Sequence, residues 1–365
     1  VTFAHAHGIL PAMPPLDFRI VDPHIHQWDP YTTPRATSAL ARLLARWPNL
    51  YVKLAKSLFP GPIRAFVGRP ENVLLPYLPA DYARDAGPDG VDTVVHVEAG
   101  WLGGGELGPA AETRWLDALD FGGAGLRLGA IVAHADLQAP RVDALLAAHA
   151  AASGKLRGVR HMAARHASKG VFAWCKQPSL YADANFQRGF ERLIARGLRF
   201  DAWVYSPQLP DLIALARRFP EGQIVLDHVG TPVGAGGPIG GVGETQPERE
   251  RIVASWRDDL ARLAECKNVY TKLSGLAMPV LGFGFHTRTE PPSVDELFDR
   301  LGPFIRHALD VFGVERCFFA SNFPMDKASA PFERLFEVYR RLAEERGEHA
   351  PRALLRENAL RFYGV

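Results

Sequence analysis

Two histidines one residue apart, His24 and His26, close the short apolar run IVDPHIH at residues 20–26, just before Gln27 and Trp28. In a strand, side chains at i and i+2 share a face, so both imidazoles project into one space. Adjacent imidazoles repel when protonated, which makes the pair most useful where it ligates a metal or hydrogen-bonds a substrate oxygen. An ordinary surface or core pair is the competing reading of a bare His-x-His. Position favours chemistry, because the pair ends the first apolar strand of a chain that alternates strands and helices from there on. More polar pairs end later strand-like runs: His96 and Glu98, Arg160 and His161, Asp227 and His228, Ser321 and Asn322. Burying so many such groups costs several kcal/mol unless they are paired or functional, so their clustering at one mouth favours a site. Taken singly, His96 and His161 also read as hydrogen-bonded core or loop residues, and Glu98 and Asp227 as groups that orient neighbours.

The runs that must carry these residues are regular. Strand-like segments fall at residues 92–98, 126–133, 156–162, 198–205, 223–228, 269–273 and 317–321, and with the first run they make eight. Amphipathic helices are predicted between them, over 110–119, 140–152, 185–196, 210–218, 246–266, 294–311 and 332–345. Such alternation implies parallel strands with right-handed crossovers, and eight units predict a single α/β (β/α)8 TIM-type barrel with long strand-to-helix loops. No Gly-x-Gly-x-x-Gly follows the first strand, which counts against a dinucleotide fold. The predicted organisation is an N-terminal arm, residues 1–19, and a barrel over 20–365. A second His-x-His, His5 and His7, falls in that arm next to Gly8 and Pro11 and reads as irregular. Residues 31–90 are predicted to hold one helix near 38–46 and another near 80–86, among loops able to fold over a site. The glycine-rich stretch 229–244 and residues 274–292 follow the sixth and seventh strands; the first reads equally as a lid or as a plain connector.

Composition narrows the partners. The chain has 365 residues, 47% of them hydrophobic, and its 42 basic and 40 acidic residues are scattered, giving a net charge of +2. No like-charge block suggests nucleic acid or a membrane surface, so a small molecule is expected. Cys175, Cys266 and Cys317 show no paired spacing and read as free thiols of a cytoplasmic protein. No export or membrane signal is recognisable.

The runs IVDPHIHQWDP, VVHVEAG, GVRHM, VLDHVG, VYTKLSGL and FASNFPMD, with the closing RENALRFYGV, resemble the amidohydrolase-related (β/α)8-barrel lactone hydrolases. That group includes L-fuconolactone hydrolase, 4-sulfomuconolactone hydrolase and 2-pyrone-4,6-dicarboxylate lactonase. The resemblance implies a reaction centre of first-strand histidines, a sixth-strand histidine and an eighth-strand aspartate, matched here by His24, His26 and His228. At the eighth strand the chain departs, reading Ser321-Asn322-Phe323-Pro324 where many relatives have Ser-Asp-x-Pro. An amide cannot accept a proton near neutral pH, so Asn322 would position water or weakly ligate a metal. Asp326 either replaces the missing base or caps a helix from residue 328 onward. The fifth strand reads Phe200-Asp201-Ala202-Trp203 and lacks the histidine of metal-dependent relatives. Two cofactor states stay open: one divalent ion, zinc foremost, on His24, His26 and His228, or no metal.

The expected activity is hydrolysis of a lactone from sugar-acid or aromatic catabolism. The catalytic set would be His24, His26, His228, Asn322 and Asp326, with the general base either Asp326 or His228. Arg160 would hold a substrate carboxylate or hydroxyl-bearing edge, Trp28 and Tyr82 would wall the site, and His96, Glu98 and His161 would line it. The alternatives are a metal-dependent decarboxylase of the same barrel group and a catalytically silent ligand-binding barrel. Either way the partner is a small lactone or carboxylate, and a homo-oligomer is left open.

Overall fold

The computed structural model describes residues 16–87 and 90–365. Its strands are β1 (Ile20–Ile25), β2 (Val91–Val97), β3 (Arg127–His134), β4 (Leu156–Arg160), β5 (Arg199–Ala202), β6 (Ile224–Leu226), β7 (Val269–Leu273) and β8 (Cys317–Phe319). They form one parallel sheet in chain order. Its two edges meet: Ile25 bridges Phe323, His26 N donates to Phe323 O at 2.9 Å, and Asn322 N donates to His24 O at 3.0 Å. The sheet is thus a nearly closed (β/α)8 barrel, with the paired histidines on its seam. The first fifteen residues of the predicted arm, His5 and His7 included, lie outside the described residues.

The segment after β1 folds into α1 (Ser38–Leu43), α2 (Pro48–Ser57), α3 (Gly61–Val67), α4 (Glu71–Leu74) and α5 (Pro79–Ala86). Only α1 and α5 were expected. Prolines obscure the helices between, yet Pro48 and Pro62 sit in first turns, where a missing N–H costs little. Seven helices pack outside the barrel: α6 (Ala110–Asp117), α7 (Val142–Ala152), α8 (Ala184–Ala195), α9 (Leu209–Arg218), α10 (Gln246–Ala264), α11 (Val294–Phe312) and α12 (Phe332–Glu344). Sequence explains their starts: Asp183 accepts from Asn185 N and Phe186 N, Thr245 from Glu248 N, and Ser293 from Glu296 N, filling orphan donors of α8, α10 and α11. The amphipathic pattern is plain in α12, which buries Leu335, Phe336, Val338, Tyr339 and Leu342.

The glycine-rich stretch is a packed connector. Gly234 N and Gly236 N donate to Val280 O and Leu281 O at 3.1 and 2.7 Å, and Ile239 bridges Val242. At the start of the strands the C-terminal helix Asn358–Tyr363 plugs the barrel: Phe362 and Tyr363 pack on Val21, Val95, Val225 and Phe318. Chemistry is left to the opposite end. Cys266 and Cys317 are buried free thiols, and Cys175 is half-buried and free. Among the described residues no helix is long and apolar enough to cross a membrane.

Candidate active site

Asp22, buried in β1, ties the seam together. Its Oδ1 accepts from Ser321 N at 2.9 Å and His24 N at 3.3 Å, and its Oδ2 accepts from the Tyr82 hydroxyl at 2.7 Å. The first-strand histidines are thereby held at a fixed angle to the segment that carries Asn322.

Beneath them lies a residue whose role the sequence did not announce. Lys272, fully buried on β7, donates from Nζ to Asp201 Oδ2 at 2.6 Å and to His24 Nδ1 at 3.0 Å, and sits 3.0 Å from Asp227 Oδ1. The Tyr363 hydroxyl donates to the same Asp201 oxygen at 2.9 Å. His24 Nδ1 has two partners: it can accept from the Lys272 ammonium, with its own proton on Nε2, or donate to Asp227 Oδ1, 3.4 Å away. His24 Nε2 lies 3.2 Å from His26 Nε2, and His26 Nδ1 donates to Val97 O at 2.8 Å. Lys272, His24 and His26 thus form one line of buried polar contacts. Burial, and then the charge of Lys272, holds the His24 pKa well below the ordinary value; burial, and then Arg160, does the same for His26. Burial alone would raise the Asp227 pKa, but Lys272 and His24 hold that carboxyl well below its usual range.

Above this charged floor opens a cavity of about 350 Å3, which His26, Trp28, Glu98, Arg160, His228 and Asn322 line along with many apolar side chains. Arg160 donates from Nε to Glu98 Oε1 at 2.8 Å and from Nη2 to Glu98 O at 2.9 Å, and its Nη1 lies 3.6 Å from Asp227 Oδ2. His228 follows β6 with φ of 56°, and Val229 with φ of 47°, in the left-handed region that non-glycine residues rarely take. Trp256 of α10 holds this turn by donating to Val229 O at 2.7 Å. His228 Nδ1 meets Ser274 Oγ at 2.9 Å. Gly275 makes that approach feasible: its φ is +67°, and a Cβ there would stand 2.4 Å from His228 Cγ. Burial pushes the His228 pKa down to about 3, so the ring is neutral at working pH. Asn322, with φ of 56°, donates from Nδ2 to Asp326 Oδ1 at 3.2 Å, which turns its carbonyl oxygen toward acceptor duty.

The expected residues divide. His26, Trp28, Glu98, Arg160, His228 and Asn322 meet at the cavity, with His24 directly beneath. Tyr82 does not wall it: the ring is fully buried on α5, tied to Asp22 and packed on Phe332. His96 stands one layer back, accepting from Gln27 N at 2.9 Å. His161 points away, accepting from Leu137 N at 3.3 Å and packing on Phe186. Asp326 is no cap for α12, whose N-cap is Pro331, and it does not reach the cavity wall. Lys272, Asp201 and Ser274 were missed, and a lysine inside the apolar strand VYTKL is the signal that marked the first.

Burial raises the Asp326 pKa to about 8. A folded-state pKa above the unfolded value means that the folded protein holds a proton the unfolded chain releases. Its stabilising contribution is full below the unfolded carboxyl pKa and is lost as pH rises through about 8. Asp326→Asn should therefore flatten the fall in melting temperature between pH 5 and pH 9. Parallel melting curves for variant and parent would refute this assignment.

His24, Asp227 and His228 offer ligand atoms within 4.8 Å of one another, the one such group among the described residues; His26 is outside it. A divalent ion there would meet competition. Lys272 already serves His24 Nδ1 and Asp227 Oδ1 as their cation, and Arg160 stands against the other Asp227 oxygen. With its Nδ1 proton donated to Asp227 Oδ1, 3.4 Å away, His24 would offer Nε2 beside His26 Nε2. An ion held by these histidines and His228 would supply Lewis-acid polarisation of a carbonyl or a water; the steps below are those of the chain's own groups.

A model of the amidohydrolase family matches residues 21–365. The chain is 30% identical over 277 residues to an L-fucono-1,5-lactonase of Burkholderia multivorans, covering 75% of this chain and 83% of that protein. It is 28% identical, over 96% of its own length and 99% of the other's, to the uncharacterized protein y4mH of Sinorhizobium fredii. A crystal structure of an amidohydrolase from Burkholderia multivorans with bound zinc superposes with a TM-score of 0.67 at 26% identity, covering 95% of this chain and 100% of that one. A putative 2-pyrone-4,6-dicarboxylic acid hydrolase from Pseudomonas putida shares the fold, with a TM-score of 0.59 at 18% identity over 96% and 98% of the two chains. Since the family match begins within the strand that carries His24 and runs to the last residue, the chain belongs to the amidohydrolase family.

Proposed function

We propose that the protein hydrolyses a lactone, with His228 as general base. The observation that carries this reading is that a neutral imidazole, an amide and a guanidinium face one cavity, supplying the three groups that ester hydrolysis needs. With Nδ1 engaged by Ser274, His228 has Nε2 left to take a proton from water, which the Asn322 carbonyl oxygen orients. The water oxygen bonds to the lactone carbonyl carbon, and the carbonyl oxygen becomes an oxyanion stabilised by the Arg160 guanidinium. Collapse breaks the ring C–O bond, and the imidazolium returns its proton to the departing alkoxide, giving a hydroxy acid. Asp227 stabilises the transient imidazolium. Lys272, held by Asp201 and Asp227, fixes His24 and through it His26 beneath the reacting groups. The lactonase names among the relatives support the same reaction class.

The test is a panel of lactones followed by acid release, with and without a chelator. Ring opening of at least one lactone is expected, and the chelated arm reads whether a bound ion takes part. Loss of carbon dioxide from aromatic carboxylates without lactone opening, or ligand binding without any turnover, would replace this reading by decarboxylation or by a silent binding barrel.

A further inference from the structure

The wall above the floor differs sharply from the floor itself. Phe66 on α3, Phe172 and Trp174 after β4, and Trp203 after β5 come together as four rings. Centroids are 4.9 Å apart for Phe172 and Trp174, 5.3 Å for Phe66 and Trp174 and for Trp174 and Trp203, and 5.8 Å for Phe66 and Trp203. Met162 and Met278 line the same cavity. Trp203 joins the two layers, with the Arg160 guanidinium 5.6 Å from its ring centre and His228 5.9 Å away.

The polar groups on the upper wall are few and partly engaged. Arg35 donates to Ala99 O and lies over the Trp28 ring at 4.8 Å, and Thr37 Oγ1 is 2.8 Å from the Tyr51 hydroxyl. A polyhydroxylated ring placed here would bury hydroxyls without partners, and that costs affinity. An apolar ring would instead meet aromatic faces and edges at van der Waals distance.

From this contrast, and resting on the lactone hydrolysis proposed above, we infer the substrate class: a lactone fused to or bearing an aromatic or alicyclic ring. Its ester reaches His228 and Arg160, and its apolar body fills the box of Phe66, Phe172, Trp174 and Trp203. Sugar-acid lactones are the class that this wall rejects. The methionines, being flexible and polarisable, let rings of differing outline seat against the same box.

Dihydrocoumarin and D-glucono-1,5-lactone, both six-membered lactones, separate the two classes. The expected result is kcat/KM higher by about 100-fold or more for dihydrocoumarin, a discrimination reachable when one ligand buries apolar surface and the other strands hydroxyls. Phe66→Ala and Trp174→Ala should each raise KM for dihydrocoumarin about tenfold with little change in kcat, since they remove apolar contact far from the reacting carbonyl. Calorimetric titration with the ring-opened acids, 3-(2-hydroxyphenyl)propanoate and gluconate, reads the box independently of turnover. Preference for the gluconolactone, or tighter binding of gluconate, overturns this inference and leaves lactone hydrolysis standing. Selective binding of the phenolic acid with no lactone opened overturns the hydrolytic reading and the lactone class with it, leaving only the preference of the box for an apolar ring. Binding of neither acid overturns the inference.

Discussion

Lys272→Met is expected to cost both stability and turnover, and it carries the largest combined effect of any single change in this protein. Removing one partner of a buried ion cluster leaves charge uncompensated, at a cost of about 3–5 kcal/mol. Here the stranded groups are Asp201 and Asp227, both fully buried. Asp201, whose pKa burial has already raised to about 6, takes up a proton and relieves part of that cost; Asp227 stays ionised beside Arg160. Turnover should fall by about 100-fold to 1,000-fold, the size seen when a preorganised electrostatic group is lost. His24 then loses its contact with the ammonium. Lys272→Met combined with Asp201→Asn separates the two effects: melting temperature should recover substantially and kcat should not. A single variant with parental melting and kcat would remove Lys272 from the mechanism.

His228→Ala should lower kcat by about 100-fold to 10,000-fold, the range for a lost general base. Its folding should be disturbed less, because the ring faces the cavity and not the apolar core. The pH dependence makes the assignment specific. With the His228 pKa at about 3, the base is already unprotonated above pH 5, so the parent enzyme should show no rising limb between pH 5 and pH 7. If Asp326 were the base, its carboxyl near 8 would impose such a limb, and Asp326→Asn would abolish it. A flat profile in parent and Asp326→Asn, together with a collapsed kcat in His228→Ala, is the expected combination. A limb in the parent that Asp326→Asn removes would transfer the base to Asp326.

The barrel was readable because its signals are local. Each strand is a short apolar run, each outer helix repeats at helical spacing, and eight alternations leave few topologies. His24, His26, His228 and Asn322 were visible as polar residues ending such runs. Lys272 was visible only as an oddity in VYTKL, because its partners come from β5 and β6 and are brought near it by the barrel alone. Two placements failed for different reasons. His161 follows Arg160 directly, and strand alternation sends neighbours to opposite faces, so both could not enter the cavity. Tyr82 failed because nothing in α5 alone tells which buried carboxylate its hydroxyl will meet. The aromatic box was illegible throughout, since Phe172 and Trp174 lie in a connection with no periodicity.

The layering of charged floor and apolar wall bears on how such a protein diverges. Lys272, Asp201, Asp227 and His24 compensate one another, so a lineage that changes one of them passes through an intermediate carrying an unmatched buried charge. Substitutions that conserve apolar volume among Phe66, Met162, Phe172 and Trp174 meet no such barrier, since swaps of that kind are usually tolerated. Selection for a new substrate therefore has an accessible route through the wall and a nearly closed one through the floor. Descendants of this scaffold should differ in what they accept long before they differ in the charge cluster beneath it.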